Sequence, residues 1–188
     1  MTLCSDEEIQ QLIAAMQSDR PDELAFADQL IEAYPEDPRL HFLRGSLLAG
    51  SGRPIEAHAS LSRAVALAPD FAIARFQLGF FELTSGEAAR ALKTWEPLDT
   101  LPEGHYLGHF VAGLRHLIRD EFAQAITSLR EGIAVNQENL PLNRDMQLII
   151  DECAPLAGGE SSDATRAEAE RSATSFLLDQ FGASGTKH

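Results

Sequence analysis

The sequence contains only two cysteines and no long run of apolar residues. Only two of its 188 residues are cysteine, Cys4 and Cys153, and neither lies in a CxxC or Cys/His spacing. We therefore expect two free thiols and a reducing, cytoplasmic environment. No segment approaches the ~18 consecutive apolar residues of a membrane-spanning helix, and the N-terminus lacks the basic start and apolar core of a secretory signal. These absences predict a cytoplasmic protein that does not bind membranes.

Positive charge is also scarce. The chain has 15 Lys and Arg residues against 29 Asp and Glu residues, which gives a net charge of −14. Phosphate recognition needs clustered Lys and Arg, so we expect no nucleic-acid partner. Residues 1–37 contain ten acidic residues and one basic residue. This segment forms either a solvated acidic face or a binding site for a basic partner.

No motif of catalysis or phosphate binding occurs: GxSxG, the P-loop and GxGxxG are all missing. The best metal candidate is the trio His105, His109 and His116, which fall on one side of a helix, and histidines four residues apart can share a metal ion. No cysteine or carboxylate clearly converges on them, so we expect these histidines to pack between helices. The sequence predicts neither an enzyme nor a cofactor or metal site.

What the sequence does contain is a 34-residue period. Four columns of residues recur at this interval: Gly45, Gly79 and Gly113; Ala57, Ala91 and Ala125; Leu61, Trp95 and Leu129; and Phe42, Phe76 and Phe110. Each unit reads as two helices joined by a glycine-containing turn, which is a typical repeat architecture. Glycine inside a helix costs about 1 kcal/mol relative to alanine. We expect close packing of the two helices at these small residues to offset that cost.

These columns resemble the tetratricopeptide repeat family, which has small residues at repeat positions 8 and 20, a large apolar residue at 24, alanine at 27 and proline at 32. Residues 38–71 supply all five, as Gly45, Ala57, Leu61, Ala64 and Pro69. The next two repeats depart from the pattern at positions 27 and 32, with Leu98 and Glu103, and then Gly132 and Gln137. The resemblance implies an all-α, right-handed superhelix of antiparallel helix pairs with C-terminal capping helices.

The predicted organisation follows this period. Gln11 and Glu23 replace the small residues in the first pair, which we interpret as a degenerate terminal repeat. The predicted segments are a degenerate helix pair (1–37), three repeats (38–71, 72–105 and 106–139), a capping helix (140–153), a flexible linker (154–162), an amphipathic helix (163–182) and a disordered tail (183–188).

The resemblance also implies a binding surface, because in this family the first helix of each pair lines a concave groove. The predicted groove residues are Phe42, Phe76, Phe80, Leu83, Phe110, Leu114 and Leu117. None is a cation, so we do not expect capture of a peptide carboxylate. An apolar groove favours an adaptor or chaperone-like protein that binds an apolar helix or extended segment of a partner protein or peptide.

The C-terminal helix offers a second occupant for that groove. Phe176, Leu177 and Phe181 lie on one stripe, and a short tether gives a millimolar effective concentration. This helix either docks in the groove or packs on the convex side and leaves the groove open. A structural alternative is self-association through the groove, so the chain is a monomer or a homodimer.

Overall fold

The computed structural model describes residues 3–18 and 22–158, and within these ranges it contains helices and no strands. The predicted all-α class is therefore confirmed for this part of the chain. The helices are α1 (Asp6–Gln17), α2 (Glu23–Ala33), α3 (Pro38–Gly50), α4 (Pro54–Leu67), α5 (Ala72–Thr84), α6 (Ala88–Trp95), a 3-10 helix (Glu96–Thr100), α7 (Tyr106–Ile118), α8 (Phe122–Val135) and α9 (Leu140–Ala157). Among these described helices, none is both long and apolar enough to cross a bilayer.

The described residues form two units, 3–81 and 82–158, and the chain passes from the first to the second within α5. In the first unit, a core of buried side chains from α1, α2 and α3 includes Leu12, Leu30 and Leu40. In the second unit, α8 packs against both α7 and α9. The predicted segments 163–182 and 183–188, and the end of the linker, lie outside the described residues.

The turn inside each of the three repeats has the same backbone conformation. Gly52, Gly86 and Asp120, which are 34 residues apart, have positive φ angles of 67°, 84° and 58°. In each turn a backbone N–H donates to the carbonyl five residues earlier: Arg53 to Leu48 (2.9 Å), Glu87 to Glu82 (2.8 Å) and Glu121 to His116 (3.0 Å). This is the Schellman closure of a helix C-terminus. Asp120 replaces glycine because aspartate is among the few residues that tolerate left-handed backbone.

Small residues bring the helices of the α3/α4 and α7/α8 pairs together, as predicted. A Cβ atom added to Gly45 would lie 2.7 Å from Leu61 Cγ, and one added to Gly113 would lie 2.7 Å from Leu129 Cγ. Both leucines are fully buried. The two pairs therefore use the same junction, in which a leucine of the second helix lies directly over a glycine of the first.

Two helices have a proline at or near the C-terminal end. The helix α6 ends at Trp95 and continues as a 3-10 helix, because Pro97 has no N–H and its ring would clash with the carbonyl of Lys93. The helix α9 extends to Ala157, so 154–157, predicted as the start of a linker, is helical. Pro155 lies within the last turn of this helix.

A buried ion pair connects the start of α1 to the start of α3. Asp37 is fully buried and accepts hydrogen bonds from the backbone N–H groups of Cys4 and Arg39, each at 3.0 Å. The Arg39 guanidinium donates to both carboxylate oxygens, and its Nη2 also reaches the Cys4 carbonyl at 2.6 Å. Burial raises the pKa of Asp37, but the hydrogen bonds and charge of Arg39 and the Cys4 N–H together outweigh it. The pKa of this carboxyl is therefore below its usual value.

We predict opposite effects of alanine at two glycines of α7. Gly113→Ala lowers the free energy of unfolding by about 2 kcal/mol, since the new methyl group overlaps the buried Leu129. Gly108→Ala has open space around it and raises that free energy by up to about 1 kcal/mol through helix propensity. Urea unfolding of the two variants and the wild type measures both effects. Equal effects of the two substitutions would show that the Gly113–Leu129 junction does not hold the pair together.

We predict that Asp37→Asn lowers the free energy of unfolding by about 3 kcal/mol at pH 7, because Arg39 loses its buried partner. Since the native pKa of Asp37 lies below its unfolded value, the carboxylate's contribution is present above the unfolded pKa of about 4 and is lost as the pH falls through the native pKa. The difference between wild type and variant should therefore shrink below about pH 4.

Urea unfolding from pH 7 to pH 3 checks this dependence, with Glu36→Gln as the control. Glu36 is the exposed acidic neighbour of Asp37, and we expect its neutralisation to leave stability within about 0.5 kcal/mol. A difference for Asp37→Asn that is independent of pH would contradict the assignment.

Candidate functional site

Most of the predicted groove residues are buried by the chain itself. Six of the seven are no more than 7% exposed: Phe76, Phe80, Leu83, Phe110, Leu114 and Leu117. The seventh, Phe42, is half-buried, with its ring 5.4 Å from that of Phe71. These six side chains therefore have little contact with solvent. Partner binding through these seven residues stays a prediction, and Phe176, Leu177 and Phe181 lie outside the described residues.

Phe110 is buried because glycine at position 132 of α8 leaves room for its ring. A Cβ atom added to Gly132 in α8 would fall on the Phe110 ring and would also lie 3.2 Å from His109 Cβ. Glycine at repeat position 27, where alanine is usual, thus makes room for the phenylalanine within the α7/α8 pair. The ring therefore packs against α8 within the pair.

The three histidines singled out as a metal candidate have separate partners. His105 accepts a hydrogen bond from the Leu107 N–H and caps α7, His109 Nδ1 lies 3.2 Å from a Glu131 oxygen, and His116 Nδ1 lies 2.6 Å from a Glu121 oxygen. In the described part of the chain, no three potential ligands converge on a common point. His109 packs against α8, as expected for a residue between helices.

The two cysteines are free thiols, as predicted, and both are buried. Burial is the main reason that the pKa of each thiol is raised to about 11. At neutral pH both are therefore protonated, which disfavours nucleophilic or metal-binding chemistry.

A concave feature lies within the first unit, between α1 and α2. It is a cleft of about 680 Å³, in the size range of binding sites. Small and aromatic side chains supply its apolar surface and polar side chains complete the lining, which consists of Gln11, Ala14, Ala15, Ser18, Asp22, Glu23, Ala25, Phe26 and Gln29.

The cleft occurs where the repeat pattern fails. Gln11 and Glu23 hold the positions that Gly45 and Ala57 occupy one repeat later, so long polar side chains replace the small residues that let helices approach. As a result, α1 packs only sparsely on α2, whereas α3 and α4 are in close contact. Both of these polar residues line the opening. The departure from the repeat and the presence of the cleft therefore have one cause.

The acidic residue Glu23 is part of the lining of the cleft. One of its carboxylate oxygens, Oε2, is buried and has no hydrogen-bond partner. Asp22, the N-cap residue of α2, lies beside it and makes no side-chain capping bond. Two acidic residues, Asp22 and Glu23, therefore lie in the lining at the start of α2.

Sequence reasoning did not identify this cleft, although two signals for it were present. Gln11 and Glu23 were recognised as departures from the repeat, and the acidic excess of residues 1–37 was recognised as a possible site for a basic partner. Neither signal gives the distance between the two helices. A degenerate column by itself does not say whether the two helices separate or whether the long side chains turn outward and leave the pair closed.

Comparison of the chain with protein-family models gave no match, and comparison with curated proteins gave none either. The resemblance to the tetratricopeptide repeat therefore rests on the residue columns themselves.

Proposed function

We propose that this chain is a non-catalytic protein-binding module, an adaptor or chaperone-like protein, that seats an apolar segment of a partner protein in the α1–α2 cleft. The observation that carries the proposal is the cleft itself, about 680 Å³ in volume, with Ala14, Ala15, Ala25 and Phe26 as its apolar surface. Partner segments are commonly recognised in such openings between helices, where a few apolar anchors supply the affinity.

We further propose that the helix pairs belong to a tetratricopeptide-like array that stacks as a right-handed superhelix. Support comes from the shared Gly45–Leu61 and Gly113–Leu129 junctions and from Schellman turns at one period. In such an array each repeat contacts only its neighbours, and the stacked repeats present an extended surface that can bind another protein.

Site-specific photocrosslinking in the natural host tests the proposal. A benzophenone amino acid at Ala14, an exposed residue in the cleft, should give a discrete heterologous crosslink, identified by mass spectrometry. The same amino acid at Ala66, an exposed position of α4, is the control and should not give that product.

Binding of the purified partner should then weaken at least tenfold in Ala14→Trp, because the indole fills the cleft, and change less than twofold in Ala66→Trp. Unchanged affinity in Ala14→Trp would overturn the assignment of the site. A crosslinked product consisting of two copies of this chain would instead support self-association.

A further inference from the structure

We propose that α1, together with residues 3–5 before it, opens and closes as a unit while α3 and α4 stay folded. The latch that holds it closed is the buried contact of Cys4 with Asp37 and Arg39. Because α1 forms one wall of the α1–α2 cleft, this latch controls how often the cleft is present. The inference concerns the free protein and does not depend on what the cleft binds.

The latch holds the backbone of Cys4 through both of its polar groups. The Cys4 N–H donates to Asp37 Oδ2 at 3.0 Å, and the Cys4 carbonyl accepts from Arg39 Nη2 at 2.6 Å. The same Nη2 donates to Asp37 Oδ2 at 2.7 Å. Asp37 is fully buried, so losing one partner while it stays buried leaves polar atoms without a hydrogen bond, which is costly. The latch is therefore either formed or fully released.

The other contacts of α1 are few. The helix packs only sparsely on α2 and on α3, and its buried side chains are those of Ile9 and Leu12. By comparison, α3 is in close contact with α4 and contributes more buried residues to the core. Segments with few buried contacts open at a lower free energy than the core of the same domain. We therefore expect α1 to open before α3 and α4 unfold.

Electrostatic repulsion favours the open state of α1. Its first turn consists of Asp6, Glu7 and Glu8, and residues 1–37 contain ten acidic residues and one basic residue. Like charges gathered in one compact segment repel each other and destabilise it. In the closed state Arg39 offsets part of this repulsion, because its guanidinium bonds to Asp6 at 2.8 Å as well as to Asp37. Release of the latch removes that compensation.

Hydrogen exchange of the full-length protein, measured by mass spectrometry at increasing urea concentrations below the unfolding transition, tests the proposal. We expect the amides of α1 to have protection factors at least tenfold smaller than those of α3 and α4. Their dependence on urea should also be weaker, because opening one helix exposes less surface than unfolding the unit. Equal protection, or an equal dependence on urea, would show that α1 unfolds only with α3 and α4 and would overturn the proposal.

Two variants at the same guanidinium test the latch itself. Asp37→Asn removes the buried partner of Arg39 and should lower the protection factors of α1 at least tenfold. Asp6→Asn removes a partner whose side chain is 94% exposed, and should change them less than threefold, since exposed ion pairs contribute little. Unchanged protection of α1 in Asp37→Asn, or an equal loss in both variants, would overturn the assignment of the latch.

A third variant covers the case in which Asp37→Asn does not fold. Arg39→Lys keeps the positive charge, but an ammonium group lacks the planar fork that reaches Asp37 and the Cys4 carbonyl together. We expect the protection factors of α1 to fall at least threefold in this variant. Wild-type protection in Arg39→Lys would mean that charge alone holds α1, and would overturn the latch.

Discussion

The close approach of paired helices over a small residue is the constraint on which the rest of the structure depends. At Gly45 and Gly113 no methyl group fits, because a buried leucine of the sister helix occupies that space. The turns that join the paired helices of the three repeats also share one feature, a residue with left-handed backbone. Gly52, Gly86 and Asp120 supply it. Local backbone chemistry and packing are therefore consistent with each other in these repeats.

The first helix pair shows what happens when that constraint is removed. With Gln11 and Glu23 in place of small residues, α1 and α2 pack sparsely and leave an opening that both residues line. The Asp37–Arg39 ion pair holds the start of α1 against α3. This ion pair therefore fixes the start of α1, although α1 packs only sparsely on α2. Sites of function commonly break a local rule whose cost is offset elsewhere.

Much of the fold was predictable from the sequence, while the candidate site was not. Helix positions and the glycine junctions depend on residues close in sequence or on a strict period, and the structure confirms them. The groove prediction assumed that a periodic phenylalanine faces a partner. In the structure the ring of Phe110 lies against Gly132 of the neighbouring helix, and whether it also contacts a partner stays a prediction. Whether the ring faces the groove or the sister helix depends on how much room the sister helix leaves for it. One column of residues contains no information about that room.

The sequence by itself determined the all-α class of the described residues, the period of the helix pairs and the acidic character of the first 37 residues, because composition and spacing carry this information directly. Tertiary structure alone decided the burial of six predicted groove residues, the coupling of Asp37 to Cys4 and Arg39, and the opening between α1 and α2. Each of these depends on the distance between elements, and that distance results from the volumes of all the side chains packed between them.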